Sequence, residues 1–270
     1  MDVRGARVLI TGASRGIGEG IARRFAAAGA HVIGAARSAD ALARLADDTG
    51  CTAVAFDAAD PEQVDGFIDR VEAQHGAIDV LVNNAGVDTN GLIEDTTAED
   101  IDRTMQINLI TPAQLTRQIV PSLLERGGGH LVFTSSMAAA GGAATMSIYS
   151  ATKAGLTRFA ESVRMELVDD DIGVTILHLG PVETAMWQRL EDNEASRLML
   201  ERGRKFGALA VATVDDVADA ALRAVESGRR EVRLPRRMAV APMLNGVMSR
   251  TTELLYRGID VRAEHGKTRG

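Results

Sequence analysis

Short apolar runs alternate along this chain with longer stretches in which apolar residues return every three or four positions. Ala6-Arg7-Val8-Leu9-Ile10-Thr11 is too short for a helix and reads as a buried strand. After it, Ile17, Ile21, Ala22 and Phe25 fall on one helical face. The same reading places strands near 6–11, 31–36, 52–56, 78–83, 130–135, 173–179 and 230–234, with helices between them. Strands alternating with helices predict the α/β class, a doubly wound parallel sheet of about seven strands with helices on both faces. Asp60-Pro61-Glu62 is a helix start, with an Asp cap and Pro in the first turn. Thr97 with Asp100, and Thr213 with Asp216, have capping-box spacing with Asp replacing the usual Glu or Gln. No repeat, linker or low-complexity segment interrupts the pattern. Residues 1–235 are expected to form one nucleotide-binding domain, followed by an extension over 236–270.

The first strand runs into Gly12-Ala13-Ser14-Arg15-Gly16-Ile17-Gly18 and then the first helix. Strand, glycine turn, helix is the context of a Rossmann-like dinucleotide loop. Glycines let the backbone turn tightly and approach a pyrophosphate, and the helix N-terminus offers free N–H groups and a positive dipole end. After the second strand, NAD-selective sites carry an acid for the ribose hydroxyls, whereas a phosphorylated ribose prefers arginine. Here Ala36 takes that place and Arg37 follows, with Arg15 as a second cation in the loop. The expected cofactor is NADP(H) in preference to NAD(H).

Tyr149 and Lys153 stand at i and i+4 in Tyr-Ser-Ala-Thr-Lys, so a helix puts phenol and ammonium on one face. A free tyrosine has a pKa of about 10, and a nearby ammonium is expected to lower it. The pair would then give and take a proton near neutral pH. A serine hydroxyl beside it, upstream in Phe-Thr-Ser-Ser-Met, would polarise a carbonyl oxygen. Tyr-x-x-x-Lys spacing alone is also common on ordinary helix surfaces.

These elements together resemble the short-chain dehydrogenase/reductase family over about residues 5 to 235. The resemblance rests on Thr11-Gly12-x-x-x-Gly16-x-Gly18, Asn83-Asn84-Ala85-Gly86, Asn108, Ser136, Tyr149 and Lys153, in the family's order. It implies that Tyr149 is general acid for ketone reduction and base for alcohol oxidation. It implies that Lys153 holds the nicotinamide ribose and depresses the Tyr149 pKa, that Ser136 binds the substrate oxygen, and that Asn108 holds a proton-relaying water. Asn84, Ala85 and Gly86 would line the cofactor site; Asp57, with Ala58 beside it, would meet the adenine end. Only the family's interval to Tyr149 selects Ser136 over Ser135. One motif departs from the pattern. The family usually has Pro-Gly after the sixth strand, with a threonine four places beyond the glycine. Here Leu179 replaces the proline and Pro181 follows Gly180. The resemblance still implies backbone from Gly180 to Val182 along the nicotinamide and a Thr184 bond to its carboxamide.

Composition narrows the classes. The formal net charge of −7 argues against nucleic acid as main partner. Cys51 is the single cysteine, which excludes an intrachain disulfide and fits a reducing, cytoplasmic compartment. Met1 to Gly5 lead straight into a strand without a signal peptide, and no apolar run has transmembrane length. The five histidines form no metal motif, so no metal is expected, and His178 reads as a structural strand residue. Two stretches are candidates for the substrate side. Met137 to Ile148 is small and uncharged; Met186, Trp187, Leu190, Leu198, Met199, Leu200 and Phe206 follow Thr184. They suit a small hydrophobic carbonyl or alcohol, or equally the core of a lid helix. The apolar, methionine-rich stretch after Arg236 is expected to cap the pocket or touch a second subunit. By analogy the assembly is a homodimer or homotetramer. The leading expectation is an NADP(H)-linked carbonyl reductase or alcohol dehydrogenase. The alternative is a non-catalytic NADP-responsive binding protein, against which the complete set Asn108, Ser136, Tyr149 and Lys153 counts.

Overall fold

The computed structural model describes residues 1–142, 144–192, 194–205 and 210–235. The extension from Arg236 to Gly270 and Phe206 lie outside the described residues. Seven parallel strands form one sheet: β1 (Arg7–Thr11), β2 (His31–Ala36), β3 (Thr52–Ala55), β4 (Val80–Asn83), β5 (Gly129–Ser136), β6 (Ile172–Leu179) and β7 (Glu231–Leu234). Their order is β3-β2-β1-β4-β5-β6-β7. The chain winds outward from β1 to β3, then returns to the other side of β1 as β4. That reversal opens a crevice at the C-terminal ends of β1 and β4, where such sheets bind ligands.

Alternation along the strands feeds two separate cores. Val8 and Ile10 join Val80, Val82 and Val132 on one face. There they pack under α1 (Gly16–Ala27), α2 (Ala39–Thr49) and α10 (Val214–Ser227), through Ile21, Phe25, Leu42, Leu45 and Val217. Leu9, Leu81, Leu131 and Phe133 point the other way. They meet α4 (Phe67–His75), α6 (Thr111–Arg126) and α7 (Ser147–Glu166), through Ile68, Leu115, Ile119, Leu156 and Ala160. A sheet buried on both faces explains why the strands are continuous apolar runs.

The helix starts follow local chemistry. The Asp60 carboxylate accepts the Glu62 N–H at the start of the short α3 (Pro61–Val64). Thr213 and Asp216 complete a reciprocal capping box on α10. At α5 (Ala98–Met105) the box is half made: Thr97 accepts the Asp100 N–H, while the Asp100 carboxylate takes the Thr97 hydroxyl and not its backbone N–H. Between α5 and α6 the chain widens into a π-helical segment, Gln106–Ile110, which carries Asn108. Such bulges interrupt α-helices mostly at functional places.

His130 on β5 is buried, with Nε2 2.8 Å from Thr175 Oγ1 and Gly173 against its ring. Because Thr175 Oγ1 already donates to the Arg229 carbonyl, Nε2 carries the proton and donates. Burial lowers the His130 pKa from 6.5 to about 4. The unfolded chain therefore takes up this proton as pH falls through 6.5, before the folded chain does. Stability is full above that pH and drains down to about 4, by about 2 kcal/mol at pH 5. His130→Gln should remove that portion of the acid sensitivity, measured as the difference between urea unfolding free energies at pH 7.5 and pH 5. An unchanged difference would rule His130 out as its source.

Candidate active site

The C-terminal strand ends place the sequence-selected residues around one crevice. At the β1 end the glycine loop leaves no room for side chains. A Cβ on Gly12, which has φ +69°, would lie 2.9 Å from Ala85 Cα; one on Gly18 would lie 2.2 Å from the Gly12 carbonyl oxygen. Arg15 precedes α1 in extended conformation, and no side chain caps the helix. The first N–H groups of α1 are thus left for an anion. Ser14 is half-buried and Arg15 exposed beside them, and Ile17 packs on the core. These features fit the pyrophosphate of a dinucleotide.

Asn84 locks this loop to the sheet. Its amide donates to the Thr11 carbonyl at 3.0 Å and approaches that of Gly12 at 3.4 Å. Thr11 Oγ1 accepts the N–H groups of Asn84 and Ala85, both at 3.1 Å. Thr134 Oγ1 reaches Asn84 Oδ1 at 3.4 Å, and the Thr134 carbonyl accepts from Lys153 Nζ at 2.9 Å. Hydrogen bonds therefore run from the glycine loop to the buried ammonium on α7.

At that end Ser136, Tyr149, Lys153 and Asn108 come together. Ser136 closes β5 and accepts the Ala138 N–H at 3.1 Å, and its hydroxyl acts to lower the Tyr149 phenol. Ser135 points to the opposite face, 2.7 Å from Thr157 Oγ1 and donating to the Lys153 carbonyl at 3.2 Å. Strand alternation thus separates two serines that are adjacent in sequence. Lys153 Nζ lies 5.8 Å from the Tyr149 ring centroid, and Gly86 passes beside Lys153 and Asn108.

One expectation is corrected here. The Tyr149 phenol is pushed above its usual value, because burial outweighs the opposing Ser136 hydrogen bond and the Asp88 charge adds to the rise. Lys153 is spent on the Thr134 carbonyl and faces the ring, so it does not lower the phenol in this arrangement. The Asn108 side chain is engaged within the protein. Its Oδ1 accepts the Val87 N–H at 2.9 Å, and Nδ2 donates to the Val87 carbonyl at 2.9 Å and Thr152 Oγ1 at 3.1 Å. It stitches the strand-end loop to the Tyr149 helix.

Around the crevice, Arg37 Nε is 3.9 Å from Asp57 Oδ1, so the two adenosine-end candidates face each other. Ala58 is buried, its carbonyl accepting from Thr111 Oγ1 at 2.7 Å. The Gly180 N–H donates to the Leu234 carbonyl at 2.7 Å, and Val182 bridges Ala212. Thr184 Oγ1 accepts the Trp187 N–H at 3.3 Å at the start of α8 (Ala185–Asp192), and a Cβ on Gly16 would lie 3.6 Å from Thr184 Cγ2. Met186 and Trp187 are half-buried. On α9 (Glu194–Lys205), Leu200 is buried whereas Leu198 is exposed, and the Leu190 and Met199 side chains lie outside the described residues. His178 faces Glu231 at 3.9 Å, with α7 charges Glu161 and Arg164 around it, as a strand histidine outside the crevice. Thr134, Thr152 and Asp88 were not selected from sequence; a threonine facing the crevice looks like any strand or helix threonine until register is known. Among the described residues no His, Cys, Asp or Glu cluster is arranged for a metal, and no helix is long and apolar enough to cross a membrane.

The fold and crevice are those of a nicotinamide-dependent oxidoreductase. The short chain dehydrogenase family model matches residues 6–195, and the chain belongs to that family. It is 33% identical over 234 residues to the ketoacyl reductase HetN of Nostoc sp., covering 84% of this chain and 78% of the relative. It is 30% identical over 216 residues to the 3-oxoacyl-[acyl-carrier-protein] reductase FabG of Escherichia coli, covering 78% and 88%. Among solved structures, a short-chain dehydrogenase from Streptomyces avermitilis has a TM-score of 0.78 at 31% identity, covering 96% of this chain and 100% of the other. L-Sorbose reductase from Gluconobacter frateurii, complexed with NADPH and L-sorbose, has a TM-score of 0.75 at 27% identity, covering 87% and 97%.

Burial lowers the Lys153 pKa from 10.5 to about 8. At pH 7 the folded protein thus holds a desolvated charge that the unfolded chain keeps in water. The penalty fades only as pH rises from about 8 toward 10.5. Lys153→Met should therefore raise stability at pH 7 by about 1–2 kcal/mol, after the loss of the Thr134 hydrogen bond. The gain should shrink by pH 10. Thermal unfolding without cofactor checks both signs, and destabilisation at pH 7 would contradict the account.

Proposed function

We propose that this protein is an NADP(H)-dependent oxidoreductase interconverting a hydrophobic ketone and the corresponding secondary alcohol. The observation that carries the reading is Tyr149 beside a buried Lys153 ammonium, with Ser136 at the adjoining end of β5, at the mouth of a dinucleotide crevice. A bound nicotinamide supplies or accepts the hydride. Tyr149, kept protonated by its surroundings, donates to the carbonyl oxygen during reduction and recovers the proton during oxidation. Ser136 donates a hydrogen bond to the same oxygen as charge develops on it. Lys153 would bind the ribose hydroxyls with the N–H groups not used by Thr134. Asn108 acts through Val87 and Thr152, holding the strand-end loop and α7 at fixed separation.

Gly12, Gly16 and Gly18 would hold the pyrophosphate, Asn84 to Gly86 and Gly180 to Thr184 the nicotinamide half, and Asp57 and Ala58 the adenine side. Arg37 and Arg15, both exposed, favour a phosphorylated ribose. The ketoacyl reductase relatives and the NADPH-bound sorbose reductase support reduction with NADPH. The uncharged loop from Met137 and the half-buried Met186 and Trp187 support an apolar substrate body.

Tyr149→Phe keeps the ring and removes the proton. It should lower ketone-dependent NADPH oxidation about a hundredfold to ten-thousandfold while leaving NADPH affinity within about twofold. Retained turnover would sink the mechanism. Arg37→Ala should lower the ratio of NADP to NAD affinity about tenfold to a hundredfold by calorimetric titration. An unchanged ratio would assign the preference elsewhere.

A further inference from the structure

The glycine loop rests on a side-chain amide that is itself held from a neighbouring strand. The Asn84 carboxamide occupies the space that Gly12 and Gly18 leave. A Cβ on Gly18 would lie 2.5 Å from Asn84 Nδ2, and one on Gly12 would lie 3.1 Å from it. Nδ2 donates to the Thr11 carbonyl at 3.0 Å and reaches that of Gly12 at 3.4 Å. These two acceptors decide which end of the amide faces the loop, since the reverse orientation would set oxygen against oxygen. The oxygen end then needs a donor of its own. Oδ1 receives the Thr134 hydroxyl, 3.4 Å away on β5, the strand paired with β4. Thr134 is buried, so water does not readily take the place of that hydroxyl. Thr134 thus works through two separate groups. Its carbonyl holds Lys153 Nζ, whereas its hydroxyl holds the amide under the loop.

A loop that receives a pyrophosphate on its backbone N–H groups binds best when those groups are already in place, because ordering them at the moment of binding weakens affinity. We propose that Thr134 is a positioning residue for the dinucleotide: its hydroxyl pins the Asn84 amide, and the amide keeps the glycine loop in the shape that takes the pyrophosphate. This rests on the reading of the crevice as a dinucleotide site, and it adds a residue that acts through another side chain.

Thr134→Val keeps the shape of the side chain and the backbone carbonyl but removes the donor, whereas Thr134→Ser keeps the donor. Calorimetric titration should show NADPH affinity about threefold to tenfold weaker in Thr134→Val and within about twofold of wild type in Thr134→Ser. In the cofactor-free protein, amide hydrogen exchange over residues 11–18 should be about threefold to tenfold faster in Thr134→Val, while β6 keeps its protection. A localised change of this kind is not what general damage to the sheet produces. Unchanged NADPH affinity in Thr134→Val, failure of Thr134→Ser to retain it, or faster exchange spread evenly over the sheet would each overturn the role of Thr134. The dinucleotide reading stands through all three results, provided wild-type protein binds NADPH or NADH. If wild-type protein binds neither, that reading falls and this inference falls with it.

Discussion

A single buried ammonium organises this site. Lys153 is 4% exposed, and the Thr134 carbonyl at the end of β5 accepts its hydrogen bond. Holding it there requires that strand end to sit still. Asn84 and Thr11 extend the same set of hydrogen bonds to the glycine loop. The glycine loop and the Lys153 end of the crevice are thus one mechanical unit spread over β1, β4, β5 and α7. The two apolar cores sandwiching the sheet supply the stability that a buried charge removes. On the proposed reading, function and stability pull against each other at this residue.

Much of this was legible in the chain because the relevant signals are local. Strands buried on both faces leave apolar runs, and the run at 173–179 became Ile172–Leu179. Three glycines between a strand and a helix mark a loop in which backbone touches backbone. The signals that failed depend on tertiary context. Spacing at i and i+4 brings phenol and ammonium together, but it does not say whether the ammonium meets the oxygen or the ring face. It says nothing of burial, which decides the direction of the Tyr149 shift. Ser135 and Ser136 differ only in strand register, and a shift of one residue exchanges their surroundings.

The departure after β6 shows how the turn is restrained without the usual proline. With Leu179 in place of the usual proline, the strand keeps an N–H and pairs in register with Ser136 and Leu234. The turn gains its restraint from neighbours instead. Leu234 accepts the Gly180 N–H, and Ala212 donates to the Pro181 carbonyl at 2.9 Å while accepting the Glu183 N–H at 3.0 Å. Pro181 loses nothing in this arrangement, since only its carbonyl is used. The stiffness needed along Gly180 to Thr184 is provided by β7 and the 210–212 segment.

Charge in this crevice is graded by exposure, and that grading separates chemistry from selectivity. Arg37 and Asp57 are 51% and 32% exposed, and at 3.9 Å in water their attraction is on the order of 1 kcal/mol or less. Turning Arg37 from Asp57 toward a ribose phosphate therefore costs little against a charge-assisted bond worth about 1.5–3 kcal/mol. Arg15, exposed on the glycine loop, is similarly adaptable. Lys153 has no such freedom, because burial and its bond to the Thr134 carbonyl fix it. On the proposed reading, substitutions at the adenosine end retune cofactor choice without disturbing proton transfer, whereas changes around Thr134, which bonds both Asn84 and Lys153, act on both ends of the crevice at once.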